Sequence, residues 1–222
     1  MGRYYGKDGT EVSGLREARK TNKFPSVTTV LNGCAPHEYK FMDSQRLKEA
    51  FDLADGNWAV AVEMLGQNLA FEQGSLVHEA AELFLETGVK SDPLEKPISS
   101  KQFFNVLSRI KEPLIEEFYF SEKMDTGGRV DVTWEKDGKH YLADYKTCMK
   151  VKKKASKSWL GQLGAYALLL EESGKKIDEA QIVQFSKADD GCHVIKLSKE
   201  ELDLGKEIFI KARELYRLWI NI

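Results

Sequence analysis

Two carboxylates and one amine stand where strand geometry could bring them together. Asp144 and Lys146 lie two apart in Asp144-Tyr145-Lys146, and Asp131 ends the run Gly128-Arg129-Val130-Asp131 upstream. Residues 128–135 alternate with the period of a strand. Val130, Val132 and Trp134 fall on one face, and Arg129, Asp131 and Thr133 on the other. Asp137-Gly138 is a hairpin turn signal, and residues 139–146 form the returning strand. Side chains two apart on a strand share a face, so Asp144 and Lys146 project together. The hairpin puts Asp131 on the neighbouring strand, about 4.8 Å away in the pairing direction. Carboxylates that close repel unless a cation sits between them. Hard oxygen donors select Mg²⁺ or Mn²⁺. A lysine beside the cation can orient or deprotonate a water and steady a developing negative charge. Phosphodiester hydrolysis needs that set, because the anionic ester repels hydroxide.

A lone Asp-x-Lys on a solvated strand face is common and means little. The conjunction is narrower, because every group falls on adjacent strands in order. The elements around it must hold these strands in place. Leu114–Phe120 reads as a preceding strand carrying Glu116 and Glu117. Alternation turns only one of these two glutamates toward the site, and Glu117 is favoured. After a lysine-rich loop comes a helix over 157–173, closed by Gly174. Strands over 180–186 and 192–197 flank the turn Asp189-Asp190-Gly191, and a helix from Ser198 to Ile220 follows, with Ser198 and Glu201 as a capping box. The order β-β-β-α-β-β-α gives an α/β core with helices on its faces.

Residues 1–111 are read as a helical N-terminal part and 112–222 as the core, packed as one compact domain. Residues 1–14 carry four glycines and read as turns or a short hairpin. Ser26 caps a helix with Val27, Val30 and Leu31 on its apolar stripe. Further helices are predicted over 37–54, 57–68, 72–87 and 100–110, with a loop at 88–99 holding Pro93 and Pro97. The helical part is longer than a minimal core requires and is expected to wall or arch over the site.

The sequence resembles the PD-(D/E)XK nuclease superfamily, and within it the RecB-like exonuclease branch. The branch pattern is Gly-x-x-x-His on a helix, a strand glutamate, Gly-x-x-Asp, Asp-x-Lys and a following Gln-x-x-x-Tyr helix. Here these are Gly74–His78, Glu116-Glu117, Gly128–Asp131, Asp144–Lys146 and Gln162–Tyr166, in that order over residues 70–190. Phe24-Pro25-Ser26-Val27-Thr28-Thr29-Val30-Leu31 also looks like the opening of many phage-encoded members and of the mitochondrial genome maintenance exonuclease. The resemblance implies a restriction-endonuclease-like core, a mixed central sheet flanked by helices, with a helical N-terminal elaboration. It implies Asp131 and Asp144 as Mg²⁺ or Mn²⁺ ligands, with His78 and the Tyr145 carbonyl completing the shell. Lys146 would position the attacking water. Gln162 would bond near the lysine or the substrate phosphate, with Tyr166 supporting it, and Gly74 would let its helix approach closely. Several relatives hold an iron–sulfur cluster on four cysteines. Cys34, Cys148 and Cys192 are three with no matching spacing, so no cluster is expected.

The implied activity is a Mg²⁺-dependent DNA exonuclease, working in phage or cellular replication, recombination or repair. A flap or structure-specific endonuclease would use the same hydrolytic residues, and a non-catalytic DNA-binding module is the reading from another class. The intact Asp131, Asp144 and Lys146 count against the last. Lys150, Lys152, Lys153, Lys154 and Lys157 follow the catalytic strand with no acid among them, as a loop tracking a DNA backbone would. Trp159 could stack on a base. The substrate is expected to be single-stranded DNA or DNA with a free end.

Composition bounds these readings. The chain has 222 residues, with 33 basic and 35 acidic side chains for a net charge of −2. That excludes a generally basic nucleic-acid coat but not a local basic groove. The longest apolar stretch, Ala165–Leu170, is far too short to span a bilayer, and residues 1–6 lack a signal-peptide core. Three separated cysteines give no disulfide framework, so a cytoplasmic setting is expected, in a host cell if the gene is phage-borne.

Overall fold

The structure, a computed structural model, describes residues 3–34 and 67–220. The chain opens on a small sheet. β1 (Arg3–Tyr5) pairs antiparallel with β2 (Glu11–Ser13) and with β3 (Phe24–Pro25). α1 (Leu15–Thr21) was not foreseen from the sequence. It starts at Gly14 without a side-chain cap and ends on Asn22 in the left-handed conformation, so it carries few local signals. α2 (Val27–Cys34) begins where Ser26 predicts it. The Thr29 N–H donates to Ser26 Oγ at 3.1 Å, and Val27, Val30 and Leu31 are buried.

The helices predicted over 37–54 and 57–68 fall outside the described residues, save for positions 67 and 68, which open α3 (Gln67–Thr87). α4 (Pro97–Leu107) starts three residues before the predicted helix and takes in Pro97, read from sequence as loop. Proline suits a first helical turn, where its missing N–H costs nothing. The cap comes from far along the chain: Asp189 Oδ1 accepts the N–H groups of Ile98 at 3.0 Å and Ser99 at 3.1 Å. No local pattern could reveal it.

The core follows the predicted order: β4 (Leu114–Ser121), β5 (Thr126–Lys136), β6 (Lys139–Cys148), α5 (Lys157–Glu172), β7 (Glu179–Ser186), β8 (Cys192–Lys196) and α6 (Lys199–Ile220). The strands form one sheet in the order β4-β5-β6-β7-β8. All neighbours are antiparallel except β6 and β7, which are parallel because α5 crosses between them. The capping box of α6 is present, with Ser198 N–H on Glu201 Oε2 at 2.9 Å and Glu201 N–H on Ser198 Oγ at 3.2 Å.

Helices cover both faces. α2, α5 and α6 bury Leu31, Leu163, Leu169 and Phe209 against Leu142 and Ile182 of the sheet. On the other face, α3 and α4 bury Val77, Ala81, Phe103 and Leu107 against Ala143, Tyr145, Val183 and Phe185. This is the α/β fold with a mixed, helix-flanked sheet that the sequence implied.

The feature that positions the site is a fork. β5 and β6 pair only over Val132–Lys136 and Lys139–Ala143. Beyond that, β5 stays with β4 to Thr126, while β6 stays with β7 to Cys148. Asp131 and Asp144 are the first residues past the divergence. The alternation read from the sequence breaks here: Val130 joins the α5–α6 side of the core, whereas Val132 and Trp134 join the α3–α4 side. Opposite Asp131 in the β4 register stands Glu116, at φ 51°. A left-handed non-glycine residue costs about 1–3 kcal/mol and is retained where the surroundings dictate it.

Candidate active site

The fork exposes backbone groups that a continuous ladder would consume, and the site begins with one of them. The Tyr145 N–H donates to Asp131 Oδ2 at 2.7 Å, so the carboxylate replaces a strand partner. Both acids are buried: Asp131 is 6% exposed and Asp144 1%. Asp144 Oδ2 accepts from Lys146 Nζ at 2.5 Å. Asp144 Oδ1 is buried with no hydrogen-bond partner.

α3 carries His78 to the same place, because Val77, Ala80 and Ala81 seat that helix on the sheet. His78 Nε2 lies 3.2 Å from the Tyr145 carbonyl oxygen. Its Nδ1 lies 3.6 Å from Asp131 Oδ2 and 4.0 Å from Glu116 Oε1. The glutamate turned to the site is therefore Glu116. Glu117, the one of the two favoured from the sequence, is exposed, and the backbone at Glu116 takes a positive φ of 51°. Gly74 does not act as expected either, since a Cβ there would meet nothing within 4 Å among the described residues. Gly128 is the glycine that a close approach requires: a Cβ on it would lie 2.9 Å from the Tyr166 ring and 3.2 Å from Val27.

Gln162 and Tyr166 share the face of α5 that looks onto this glycine. Gln162 Nε2 donates to the Tyr166 hydroxyl at 3.1 Å, rather than reaching Lys146. Burial, with Asp131 and Asp144 nearby, holds the Tyr166 hydroxyl well above the usual phenol range. Lys150, Lys152, Lys153, Lys154 and Lys157 are all exposed beyond the end of β6. Their loop is anchored by a residue the sequence reading passed over. Gln184, fully buried and opposite Lys146, donates to the Lys152 carbonyl at 2.8 Å and accepts its N–H at 2.7 Å. A lone glutamine inside Ile182-Val183-Gln184-Phe185 was the available signal. Trp159, expected as a stacking platform, has Lys152 Nζ 4.6 Å from its ring centre.

Burial pulls the His78 pKa down, but the charge of Asp131, the Glu116 hydrogen bond and the charge of Asp144 outweigh it and hold the imidazole at about 9. Burial and the Asp144 charge push the Asp131 carboxyl upward. Acids and imidazole thus crowd around a deficit of positive charge. One ligand atom each from His78, Glu116 and Asp131 lie within 4.8 Å of one another, and Asp144 Oδ1 is buried without a hydrogen-bond partner. These donors fit a hard or borderline divalent cation.

Buried acids with a lysine at the split between two strands of a mixed sheet form a set that phosphodiester hydrolysis can use. The family model of the PD-(D/E)XK nuclease superfamily matches residues 112–218, which hold Glu116, Asp131, Asp144, Lys146, Gln162 and Tyr166. Over these residues the chain is similar to that superfamily. His78 lies outside the match, and α3 brings it to the site. No curated protein matches the sequence. Among solved structures, the protein SSO0001 is similar at 14% identity and a TM-score of 0.36, covering 75% of this chain and 84% of that one. A candidate exonuclease from Eubacterium rectale is similar at 11% identity and a TM-score of 0.43, covering 82% of this chain and 85% of that one.

Proposed function

We propose that the protein is a divalent-metal-dependent deoxyribonuclease of the RecB-like branch, acting as an exonuclease on DNA ends. One observation carries the metal-dependent chemistry: His78, Glu116 and Asp131 each bring a ligand atom within 4.8 Å of the others at the fork, where Asp144 gives one buried oxygen to Lys146 and leaves the other unpartnered. Asp131, Asp144, Glu116 and His78 would hold Mg²⁺ or Mn²⁺, with the Tyr145 carbonyl at hand. The imidazole among the donors favours Mn²⁺ in affinity. Bound there, the cation supplies an activated water and shields the phosphate charge.

The chain's own residues do the rest. Lys146, one-fifth exposed, is held by Asp144 and would orient the attacking water and steady charge on the phosphate. Tyr145 N–H fixes Asp131, and His78 is lodged between that carboxylate and the Tyr145 carbonyl. Gln162 and Tyr166 wall the side under α5. The lysine loop would follow the phosphates leaving the site. The DNA preference and the exonuclease mode rest on the motif resemblance, as does a place in phage or cellular replication, recombination or repair. A cytoplasmic setting goes with that reading, in a host cell if the gene is phage-borne. The expected arch over 26–87 lies largely on residues 35–66, outside those described.

The test uses linear, circular and flap DNA labelled at either end, with Mg²⁺, Mn²⁺ or EDTA. Loss of terminal nucleotides from linear strands, with closed circles intact and EDTA abolishing the reaction, supports the reading. Fast opening of circles would make the protein an endonuclease. Binding without any cleavage would make it a non-catalytic module.

A further inference from the structure

β5 has two hydrogen-bonding edges. β4 takes one of them along Thr126–Thr133, and β6 takes the other only from Val132 onward. The stretch that β6 leaves open is used by another part of the chain. Ser26, directly after β3, bridges Gly127 in parallel. The start of the chain is thus slotted into the fork. β1 comes with it: the Arg3 carbonyl accepts Ser26 N–H at 2.9 Å and Thr29 Oγ1 at 2.8 Å, while Arg3 N–H donates to Thr29 Oγ1 at 2.9 Å. These bonds fix the backbone of Arg3 against α2 and leave its side chain exposed.

Arg129 lies on β5 two residues before Asp131 and is also exposed, with Nη1 donating to the Glu116 carbonyl at 3.2 Å. The Arg3 and Arg129 charges both act on the Tyr5 hydroxyl, as does Glu11, which hydrogen-bonds to it, and the Arg3 charge also acts on the Tyr166 hydroxyl. Neighbouring cations of this segment are paired, Lys7 with Glu122 and Lys23 with Asp8. Among the described residues, neither Arg3 nor Arg129 has a carboxylate within 4.0 Å. Two exposed guanidiniums without a carboxylate partner among the described residues, on strands that border a site of buried acids, suit a bidentate anion.

We propose that Arg3 and Arg129 hold a phosphate of the nucleic-acid strand next to the scissile one, on the β4–β5 arm of the fork. The inference rests on the nuclease reading. The lysine loop leaves the β6–β7 arm, so a strand crossing the fork meets lysines on one side of the cleaved bond and arginines on the other. The arginines then contribute to substrate binding and strand direction.

The experiment measures binding of a labelled single-stranded oligonucleotide over a salt series in Mn²⁺. It uses the full chain carrying Lys146→Ala, alone and with Arg3→Gln, Arg129→Gln or both. The slope of log affinity against log salt should shrink by about 0.7 for each arginine and about 1.4 for the pair. Arg129→Lys should keep the slope. Arg129 also braces the Glu116 carbonyl, so Tm and the Mn²⁺ isotherm are read alongside. A lower Tm or weaker Mn²⁺ binding with the slope unchanged would make these residues struts and overturn the proposal. Cleavage of the same oligonucleotide by the wild type is measured in parallel. Cleavage with unchanged slopes sinks this proposal alone, whereas reduced slopes without wild-type cleavage sink the nuclease reading and keep the phosphate site.

Discussion

The two arms of the fork are built differently. On the β6–β7 arm the strands run regularly, Asp144 and Lys146 share a face, and Gln184 opposite Lys146 ties down the loop that follows. On the β4–β5 arm, Glu116 adopts a left-handed conformation, the inward alternation resets at Asp131, and the start of the chain occupies the free strand edge. The regular arm supplies the groups closest to the chemistry. The irregular arm shapes the metal cluster by bending backbone toward it. Strain is placed where a side chain has to be re-aimed.

The largest effect is expected on the regular arm. Lys146→Ala should lower cleavage by about 10²-fold or more while DNA binding falls only slightly, as measured by turnover and by fluorescence anisotropy. Near-normal turnover would make the lysine structural.

On the irregular arm the two glutamates separate the geometry from plain alternation. Glu116→Gln should weaken Mn²⁺ binding by about tenfold or more and reduce cleavage with it, by analogy with the cost of disturbing a metal shell. Glu117→Gln should change neither. The reverse result would make Glu117 the glutamate of the site.

Added metal should stabilise the fold. At about 100-fold over Kd the gain is about 2.7 kcal/mol, or roughly 5–10 °C in Tm for a chain of this size. Asp144→Asn should erase that gain, and metal-free Asp144→Asn should melt below the metal-free wild type because the Lys146 ammonium loses its buried partner. Equal gains in both proteins would move the cation away from the fork.

A smaller effect concerns pH. His78 holds its proton up to about 9 in the fold but only to about 6.5 when unfolded. The folded state therefore binds more protons between these values. The stability this gives is complete below pH about 6.5 and is lost as pH rises through about 9. The Tm of the metal-free protein should fall across that window, and His78→Gln should flatten the fall. Metal must displace that proton, so the Mn²⁺ gain should grow over the same range.

What could be read in the sequence follows the same division. The core order, the hairpin, Asp131, Asp144, Lys146 and the cap at Ser198 were legible because each is encoded within a few residues at strand or helix period. Glu116 was not, because a positive φ inside a strand leaves no sequence mark on a glutamate. Nor were Asp189 capping α4 from across the chain, Gln184 anchoring the lysine loop, or the seating of Ser26 on Gly127. Each of these depends on a contact between segments distant in sequence. His78 was reached only through the family pattern. A single histidine on a helix says nothing until the helix is placed, and here Val77, Ala80 and Ala81 place it.

The central claim is that the mouth of the fork is a divalent-metal site built from both arms. Calorimetric titration of Mn²⁺ into the metal-free protein tests it most directly, using the wild type, Asp131→Asn, Asp144→Asn and Lys146→Ala, each with and without DNA. Binding is expected in the wild type and in Lys146→Ala, and its loss in both aspartate variants. Absence of binding to the wild type under either condition, or undiminished binding to Asp144→Asn, would contradict it.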